Sequence, residues 1–573
     1  MKIALAQQNY HIGNFEDNTR KIIDGINWAK GQGADLVVFS ELCVCGYPPR
    51  DFLEFNDFIN KCYESIDIIK QHADTIGVLI GSPARNPQKE GKDLFNAVFL
   101  LYEKEIKSEI HKTLLPNYDV FDEYRYFEPA YDWKVMEFKG KKLAVTICED
   151  IWNMGDNLLY RITPMEKLMP FKPDVMINLS ASPYNYAQDI VRNSIVKAHT
   201  LKYNLPMLYC NTIGSQTEIV FDGGSLIYDS NGNKVEEMKY FEEDYQVFDL
   251  EKLSKKSGSS QTPARDLGET GTYYYSAMDV GQDVNTLEYL ADKKNIEEIY
   301  HAIILGIKDY FRKMGFSKAI LGSSGGIDSA VTQALAVEAL GKENVRAILM
   351  PSQFSSSHSV SDAELLSKNL GNPYDIIPIK NIYESFLAEL KPVFKDLPFG
   401  IAEENIQSRI RGNLLMALAN KFGYILLNTS NKSELATGYG TLYGDMAGGL
   451  SVLGDVYKMQ IYALAKFINT KKDIIPSNII TKAPSAELKP NQKDSDSLPE
   501  YEILDRILYQ YIELRQGPNE IIAKGYEAAL VARVLKLVNT NEYKRNQFCP
   551  IIRVSCKAFG IGRRLPIVGK YLS

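Results

Sequence analysis

The sequence predicts an α/β protein of two domains, and three observations lead to this prediction. Short runs of β-branched and aliphatic residues alternate with longer segments of helical periodicity, both before residue 250 and after residue 285. The chain has 573 residues, which is more than a single hydrophobic core usually accommodates. Its hydrophobic content of 45% and charged content of 24% are typical of a soluble globular protein. We therefore expect two layered domains, each with its own core.

The first half of the chain alternates short apolar runs with helical patterns. Strands are predicted at residues 3–7, 36–39, 77–81, 97–102, 143–147, 175–179 and 207–211, and helices at 15–31, 57–74 and 188–203. Two further runs, 219–221 and 225–228, flank Asp222-Gly223-Gly224, and this spacing predicts a β-hairpin. Together these elements predict an α/β layered domain.

A polar segment then precedes a second α/β series. Residues 255–270 (KKSGSSQTPARDLGET) are rich in Ser and Gly and predict a linker. Beyond it, helices predicted at 287–314, 329–340, 361–370 and 404–422 alternate with strands at 319–321, 345–350, 374–377 and 424–428. Such repeats predict a Rossmann-like, doubly wound parallel sheet that binds ligands at the carboxyl ends of its strands. The predicted boundaries are 1–255 for the first domain, 256–285 for the linker and 286–573 for the second domain.

Composition and charge argue against several kinds of partner. The net charge of −7 leaves no basic footprint for nucleic acid. The N-terminal apolar run is too short for a signal peptide, and no apolar stretch approaches the roughly 20 residues that a membrane-spanning helix needs. The seven cysteines lack paired spacing, which argues against a disulfide framework or a zinc site, and Cys43 and Cys45 are expected to be buried. We expect a cytoplasmic protein without a nucleic-acid or membrane partner.

The segment KAILGSSGGIDS, residues 318–329, carries the strongest chemical signal. An apolar run meets a turn rich in Ser and Gly, and free backbone N–H groups at the following helix start predict an anion site. Gly325 and Gly326 allow the backbone to approach a phosphate closely. The turn lacks the P-loop lysine, and Asp328 in its place indicates a bridging metal ion, with a simple helix N-cap as the alternative. The segment predicts ATP that is cleaved between its α- and β-phosphates.

Three reactive residues end predicted strands in the first half. Glu41 follows an apolar strand, and Lys112 follows another strand and precedes a Pro-containing loop. Cys148 follows a third strand at the start of a predicted helix, where the helix and a nearby lysine would lower the thiol pKa. A carboxylate can act as general base and a lysine can stabilise an oxyanion, so the trio suffices for amide hydrolysis through a thioester. Taken singly, each residue has an ordinary alternative: packing for the cysteine, a cap for the glutamate and a solvated charge for the lysine.

The segments FSELCVCGYPPRD, HKTLLPNY and CEDIW together resemble the nitrilase superfamily, in particular its glutaminase branch, over about residues 1–250. The resemblance implies an N-terminal α-β-β-α sandwich. It also implies that Glu41 is the general base, Lys112 the oxyanion stabiliser and Cys148 the nucleophile of a glutaminase. Glu123 matches a second acid near this triad, and a surface position in an acidic loop is the open alternative.

The same resemblance implies a set of glutamine-binding residues: Tyr118, Ser182 and Gln188. Gln188 departs from the family pattern, because relatives commonly have a basic residue at that position. For Tyr118 and Ser182 the alternatives are ordinary loop packing and turn chemistry before proline.

In the second half, LGSSGGIDS resembles the signature of the ATP pyrophosphatases. Together with ENIQSRIRGNLLM, LLNTSNKSELATGYGTLYGDMAGG and SCKAFGIGRRLPI, it resembles the NAD synthetases over about residues 285–573. The polar segment 485–499 is predicted to be a functional loop or an exposed crossing. The resemblance implies ATP-binding residues, namely Gly322, Ser323, Ser324, Gly325, Gly326, Ile327, Asp328, Ser329, Thr429, Lys458 and Ser485.

It further implies that Asp328 and Glu434 hold Mg²⁺, since hard oxygen ligands suit this ion. The implied residues for the dinucleotide substrate, deamido-NAD, are Asn405, Arg409, Glu434 and Lys557. Surface positions remain the alternative for Arg409 and its neighbour Arg411, a helix-start acid for Glu434 and a solvated charge for Lys557.

The joined halves resemble the glutamine-dependent NAD synthetases, which are carbon–nitrogen ligases. This resemblance implies ATP-dependent amidation of deamido-NAD to NAD through an acyl-adenylate, with release of AMP and pyrophosphate and with ammonia supplied by glutamine hydrolysis. By the same analogy the partners are ATP, deamido-NAD and L-glutamine, and the assembly is a homo-oligomer. Two alternatives stay open: another glutamine amidotransferase of the ATP-pyrophosphatase class, and a non-catalytic scaffold of nitrilase and nucleotide-binding folds.

Overall fold

The structure, a computed structural model, describes residues 1–154, 158–254, 277–280, 284–490 and 492–572. The chain divides into two compact units, Met1–Val280 and Gly281–Ser573. Most of the predicted linker lies outside the described residues, so the boundaries 1–255 and 286–573 stay a prediction. Within the described ranges, no helix combines the length and apolar character needed to cross a membrane.

The first unit contains short strands and a few helices, most of which fall where the sequence predicts them. Their bounds are β1 (Lys2–Gln7), α1 (Phe15–Gly31), β2 (Leu36–Val38), α2 (Asn56–Lys70), β3 (Gly77–Arg85), β4 (Leu94–Tyr102), β5 (Glu105–His111), β6 (Met136–Phe138), β7 (Lys141–Ile147), α3 (Pro164–Leu168), β8 (Val175–Ser180), α4 (Gln188–Tyr203), β9 (Met207–Asn211), β10 (Ile213–Gln216), β11 (Ile219–Asp222), β12 (Leu226–Tyr228), β13 (Lys234–Glu237), β14 (Asp244–Asp249), α5 (Leu250–Leu253) and α6 (Ala277–Val280).

Two six-stranded sheets form the centre of this unit, in the orders β14-β1-β2-β3-β4-β5 and β13-β12-β9-β8-β7-β6. Aliphatic residues of both sheets, such as Leu36 and Leu179, meet in one buried core. Helices α1 and α2 pack beside β2 and β3 of the first sheet. The outer face of the second sheet packs on α3 and α4 through residues such as Met176 and Ile195. The predicted α-β-β-α sandwich is therefore confirmed.

The predicted hairpin around Asp222-Gly223-Gly224 is wrong. β11 pairs with β10 in a separate two-stranded sheet, whereas β12 pairs with β9 and β13. Gln7 on β1 holds the turn open, because its Oε1 accepts from Ser225 N at 3.0 Å and its Nε2 donates to the Lys239 carbonyl at 2.6 Å. Long-range contacts of this kind choose the strand partners, and a local Gly-rich pattern does not reveal them.

The second unit alternates parallel strands with helices and ends in a helical region. The bounds are α7 (Thr286–Leu290), α8 (Lys293–Met314), β15 (Ala319–Gly322), α9 (Ile327–Leu340), β16 (Val345–Leu349), α10 (Ser357–Leu370), β17 (Tyr374–Ile376), α11 (Lys380–Phe394), α12 (Ile401–Phe422), β18 (Ile425–Asn428), α13 (Lys432–Thr437), β19 (Leu450–Ser451), α14 (Lys458–Ile468), α15 (Ser477–Thr481), α16 (Tyr501–Ile512), α17 (Pro518–Ala523), α18 (Ala528–Thr540) and α19 (Glu542–Arg545).

The strands of this unit form one parallel sheet in the order β17-β16-β15-β18-β19. The order reverses between β15 and β18, so the carboxyl ends of these strands flank a topological switch point, as the doubly wound prediction requires. The helix predicted at 287–314 is two helices, because the Asp292 carboxylate accepts from the N–H groups of Lys294 and Asn295 and starts α8 afresh.

Candidate functional site

Cys148 lies at the end of β7 in the first unit, buried and with a φ of 40°. The chain continues as a single short 3₁₀ turn, Cys148–Ile151, and not as the α-helix that the sequence predicts. Burial first and then Glu41 raise the pKa of the Cys148 thiol well above its ordinary value, and Lys112 only partly opposes them. The expected lowering of this pKa is therefore wrong, because one 3₁₀ turn provides little dipole and the strand end is enclosed.

Lys112 stands between two buried carboxylates. Its Nζ donates to Glu41 Oε1 at 2.7 Å and to both oxygens of Glu123 at 2.8 Å. Burial alone would lower the pKa of Lys112, but Glu123 and Glu41 raise it well above its ordinary value. Glu123 also accepts from Tyr47 OH at 2.8 Å and is 5% exposed, which rejects a surface position for it. The structure thus brings Glu41, Lys112 and Glu123 together as one ion cluster.

Glu41 is fixed in place by donors from three different segments. Besides Lys112, Asn96 Nδ2 on β4 donates to its Oε1 at 2.7 Å, and the Ala181 N–H after β8 donates to its Oε2 at 3.0 Å. Gly81 on β3 permits this arrangement, because a Cβ there would lie 2.3 Å from Leu42 N. The carboxylate therefore has one orientation relative to the lysine and the strand end of β8.

Asp150 joins the segment of the lysine to the segment of the cysteine. Its Oδ1 accepts from the N–H groups of Thr113 and Leu114 at 3.0 and 2.8 Å, and its Oδ2 accepts from Ile147 N at 3.0 Å. These donors directly follow Lys112 and directly precede Cys148. Sequence reasoning missed Asp150 and Asn96; Asp150 lies inside the quoted CEDIW motif, whereas nothing local marks Asn96.

A further buried acid, Glu149, directly follows Cys148. Glu149 accepts from Tyr118 OH at 2.9 Å and from Tyr160 OH at 3.0 Å. Burial raises the pKa of Glu149 to about 7, against the influence of Lys112 and the two hydroxyls. Tyr118, which the sequence associates with glutamine, thus contacts the residue that directly follows Cys148. The sequence pattern did not indicate a role for Glu149.

The other two residues associated with glutamine lie after β8. Ser182 is buried, and its N–H donates to Asn211 Oδ1 at 2.9 Å, next to the Ala181 N–H that reaches Glu41. Gln188 is the first residue of α4, and its Oε1 accepts from Asn185 at 3.1 Å within the same turn. Ser182 is therefore next to the ion cluster, whereas the contacts of Gln188 are local and its role stays a prediction.

The second unit contains a cavity of about 310 Å³ at the carboxyl ends of β15 and β18. The predicted ATP residues that line it are Gly322, Ser323, Ser324, Gly326, Ile327, Asp328, Ser329, Thr429, Lys458 and Ser485, and Glu434 lines it too. Residues 482–488 and Asp494 also line it, in agreement with a functional loop in this polar segment.

The phosphate-sized turn between β15 and α9 depends on Gly325, which has a φ of 76°. A Cβ at this position would lie 2.1 Å from the Ser359 carbonyl oxygen. Ser324 Oγ accepts from Gly326 N at 3.2 Å and lies 3.1 Å from Ser329 Oγ. Gly326 is the N-cap of α9 and Asp328 is its second residue, so the N-cap alternative for Asp328 is wrong.

Lys458 bridges the two predicted metal ligands. Its Nζ lies 2.6 Å from Asp328 Oδ2 and 3.4 Å from Glu434 Oε1. Burial raises the pKa of Glu434 to about 8, and Lys458 opposes this. Two carboxylates that face one cation site fit Mg²⁺ when phosphates supply further oxygens. In the described part of the chain, no group of three or more His, Cys, Asp or Glu side chains is placed to hold a metal.

The residues predicted for the dinucleotide are placed differently. Asn405 Oδ1 accepts from Thr441 Oγ1 at 2.8 Å, and the exposed Arg409 donates to the Leu442 carbonyl at 3.2 Å. Arg411, two residues further along α12, lines the cavity, and burial lowers its pKa to about 10. Lys557 is half-buried in the C-terminal segment. Arg409 is thus exposed and Arg411 lines the cavity, and the role of each in binding the dinucleotide stays a prediction.

Comparisons with known proteins match the two halves of the chain to two different families. The family model described as carbon-nitrogen hydrolase matches residues 2–253, and the one described as NAD synthase matches residues 299–548. The glutamine-dependent NAD(+) synthetase of Synechocystis sp. is 44% identical over 572 residues, which cover 99% of this chain and 98% of the relative. The protein of that name from Thermotoga maritima is 41% identical over 100% of this chain and 99% of the relative.

A solved structure gives the same result over the full length. The glutamine-dependent NAD+ synthetase from Acinetobacter baumannii, in complex with ADP, matches with a TM-score of 0.73 and 36% identity. The match covers 99% of this chain and 98% of that chain. The resemblances to the nitrilase superfamily and to the NAD synthetases are thereby confirmed, and the chain belongs to the family of glutamine-dependent NAD(+) synthetases.

Proposed function

We propose that this chain amidates deamido-NAD to NAD with ATP, using ammonia released from L-glutamine. The observation that carries the proposal is the presence of a buried ion cluster beside a cysteine and of a separate polar cavity in one chain. The first unit holds a buried Glu41–Lys112 pair beside Cys148, and the second holds a cavity lined by the Ser324–Ser329 turn and by Lys458. The first arrangement suits amide hydrolysis and the second suits nucleotide phosphates.

In the glutaminase site, Cys148 attacks the carboxamide carbon of glutamine and Glu41 takes the thiol proton. The ammonium of Lys112 stabilises the oxyanion, and collapse of the tetrahedral intermediate expels ammonia with the proton that Glu41 returns. Water then attacks the carbonyl carbon of the glutamyl thioester while Glu41 accepts a proton from it. The C–S bond breaks, glutamate is released, and the Cys148 sulfur recovers the proton from Glu41. Transient proton transfer to Glu41 explains how a thiol of raised pKa can react, because Glu41 lies near enough to Cys148 to raise the pKa of its thiol.

The substrate's zwitterionic end also needs partners. Glu149 supplies a negative charge for its α-ammonium group, and Tyr118 and Tyr160 orient this carboxylate through hydrogen bonds of 2.9 and 3.0 Å. We assign the neighbouring Ser182 to the amino-acid end of glutamine, where Gln188 provides a neutral donor in place of a basic one.

In the synthetase site, a nicotinate carboxylate oxygen of deamido-NAD attacks the α-phosphorus of ATP and pyrophosphate leaves. Ammonia then attacks the acyl carbon, AMP leaves, and the nitrogen loses a proton to give the amide. The Ser324–Ser329 turn and Lys458 bind the phosphates, and Asp328 and Glu434 would hold Mg²⁺. When bound, Mg²⁺ would offset phosphate charge. We assign Lys557 and Asn405 to the dinucleotide.

The compartment and assembly belong to the same proposal. All seven cysteines are free thiols, which suits a reducing cytoplasm. The substrates are small and anionic, and the chain's net charge of −7 offers nucleic acid no attraction. A homo-oligomer remains an expectation from family analogy, and the molecular mass of the protein in solution tests it.

The test measures NAD, AMP and pyrophosphate from ATP and deamido-NAD, with either glutamine or ammonium as nitrogen donor. We expect the three products in equal amounts with both donors. Cys148→Ala should lose only the glutamine-dependent reaction, and Asp328→Ala should lose both. Amidation of xanthosine monophosphate or aspartate, and not of deamido-NAD, would favour another amidotransferase, and absence of AMP with every acceptor would favour a non-catalytic scaffold.

A further inference from the structure

A buried charge cluster in the second unit lies outside the cavity lining described above. Its centre is Lys432, the first residue of α13, whose side chain is 0% exposed. Lys432 Nζ lies 2.9 Å from Asp455 Oδ1 and 2.7 Å from Glu513 Oε1, and it donates to Ser555 Oγ at 2.7 Å. Each ammonium hydrogen thus has an acceptor, and the Tyr457 ring lies 4.7 Å away as a cation–π partner. We call Lys432, Asp455, Glu513 and Ser555 the Lys432 cluster.

The Lys432 cluster joins parts of the chain that are distant in sequence. Asp455 precedes α14, Glu513 directly follows α16, and Ser555 belongs to the C-terminal segment. Asp455 Oδ2 also accepts from the backbone N–H groups of Val554 and Ser555 at 2.8 and 2.7 Å. The cluster therefore fixes the C-terminal segment against the first turn of α13.

Two residues of the proposed synthetase site lie next to the ends of this connection. Glu434 is two residues after Lys432 on the same short helix. Lys557 is two residues after Ser555, and its backbone N–H donates to Ser555 Oγ at 3.3 Å. A shift of the Lys432 ammonium would consequently move Glu434 and Lys557 relative to each other.

We propose that Lys432 is a positioning residue that sets the placement of Glu434 relative to Lys557, and thereby the affinity for the dinucleotide. This inference rests on the proposed function, because it assigns Glu434 and Lys557 to the synthetase site.

The chemistry of the cluster supports positioning over stability. Buried ion pairs generally add little net stability compared with apolar side chains of similar size, because the charges lose their hydration. Charge-assisted hydrogen bonds are short and directional, so they define a geometry. The compact ammonium matches three acceptors from three segments, which the planar guanidinium of arginine would not reproduce.

The test compares three variants of the full-length chain, with ammonium as donor and with KM and kcat measured separately for deamido-NAD and ATP. Lys432→Met should raise the KM for deamido-NAD by about tenfold or more, since small misplacements of binding groups cost that much. Ser555→Ala removes no charge and should raise the KM for deamido-NAD while the KM for ATP stays within about twofold. Lys313→Met is the matched control, because it removes another buried ion pair, 3.2 Å to Asp309 on α8.

Lys313→Met should change neither KM. An unchanged KM for deamido-NAD in Ser555→Ala would overturn the proposal, whether or not Lys432→Met folds. An equal rise in Lys313→Met would overturn it too, because any buried charge would then have the same effect. Failure of the wild-type chain to form NAD would instead refute the proposed function. Glutamine hydrolysis by each variant reports that the first unit is intact.

Discussion

Lys112 Nζ lies 2.7 Å from Glu41 Oε1, and both side chains are fully buried. The proposed oxyanion stabiliser and the proposed general base are thus direct partners. Glu123 contacts the other side of the same ammonium at 2.8 Å, and burial raises its pKa to about 7. The two carboxylates share one cation but differ in their other partners. Glu41 also accepts from Ala181 N, whereas Glu123 accepts from Tyr47 OH, and we therefore expect them to have different roles.

We expect Glu41→Gln to reduce glutamine hydrolysis by about 10²- to 10⁴-fold, the usual contribution of a general base. Glu123→Gln should cost less and should move the rise of the rate with pH to lower pH, because Glu123 raises the pKa of the Cys148 thiol. Glutamate release measured from neutral to alkaline pH, where a thiol of raised pKa ionises, checks both results, and ammonium-dependent NAD formation is the control. Equal losses in the two variants, without a shifted profile, would contradict these roles.

Asp150→Asn should reduce kcat for glutamine by about 10²-fold with a smaller change in KM, because it shifts Cys148 relative to Lys112. The carboxylate accepts hydrogen bonds from three backbone N–H groups. The NH₂ group of asparagine would face at least one of these donors and could not accept from it. Asp174→Asn is the matched control, since Asp174 accepts from Lys142 N at 2.8 Å at the start of the same strand, β7. The assignment fails if both variants lose kcat alike.

The KM for glutamine should depend on pH through Glu149. Burial raises the pKa of Glu149 to about 7, so the carboxylate is protonated as the pH falls below about 7 and loses the charge proposed to bind the α-ammonium. We therefore expect the KM to rise as the pH falls through 7, and to level off above it. In Glu149→Gln the KM should be high and nearly independent of pH. A wild-type KM that is flat from pH 6 to about 8 would refute this role.

Gly325→Ala should abolish NAD formation with either nitrogen donor, while glutamine hydrolysis continues. The added Cβ would meet the Ser359 carbonyl oxygen at 2.1 Å, so the phosphate turn must open. Gly315→Ala is the matched control: Gly315 has a similar φ of 73°, but its Cβ would meet nothing within 4 Å. Gly315→Ala should keep its activity. Its free energy of unfolding should fall by only roughly 1–2 kcal/mol, the cost of a left-handed backbone, and this appears as a lower Tm. ATP binding by calorimetry separates the two; tight binding by Gly325→Ala would contradict the proposed turn.

Local patterns were sufficient for most of the architecture. Parallel strands such as β7, β8 and β15 are largely apolar runs because most of their residues are buried, and such runs are visible in the sequence. The Ser/Gly turn before α9 was equally visible, because its glycines allow positive φ and close approach. The turn at Gly223-Gly224 was misinterpreted, since its strands pair with partners that lie elsewhere in the chain.

The sequence alone determined the two α/β units, the strand-end positions of Glu41, Lys112 and Cys148, and the phosphate turn before Asp328. It did so because apolar periodicity, backbone freedom and helix starts depend on residues that are neighbours in the sequence. Only the tertiary structure decided that Glu123 is buried on Lys112, which contacts Glu149 and Asp150 make around Cys148, and that the Cys148 pKa is raised. Enclosure from water and contacts between distant segments set these properties, and neither is encoded in the spacing of residues along the chain.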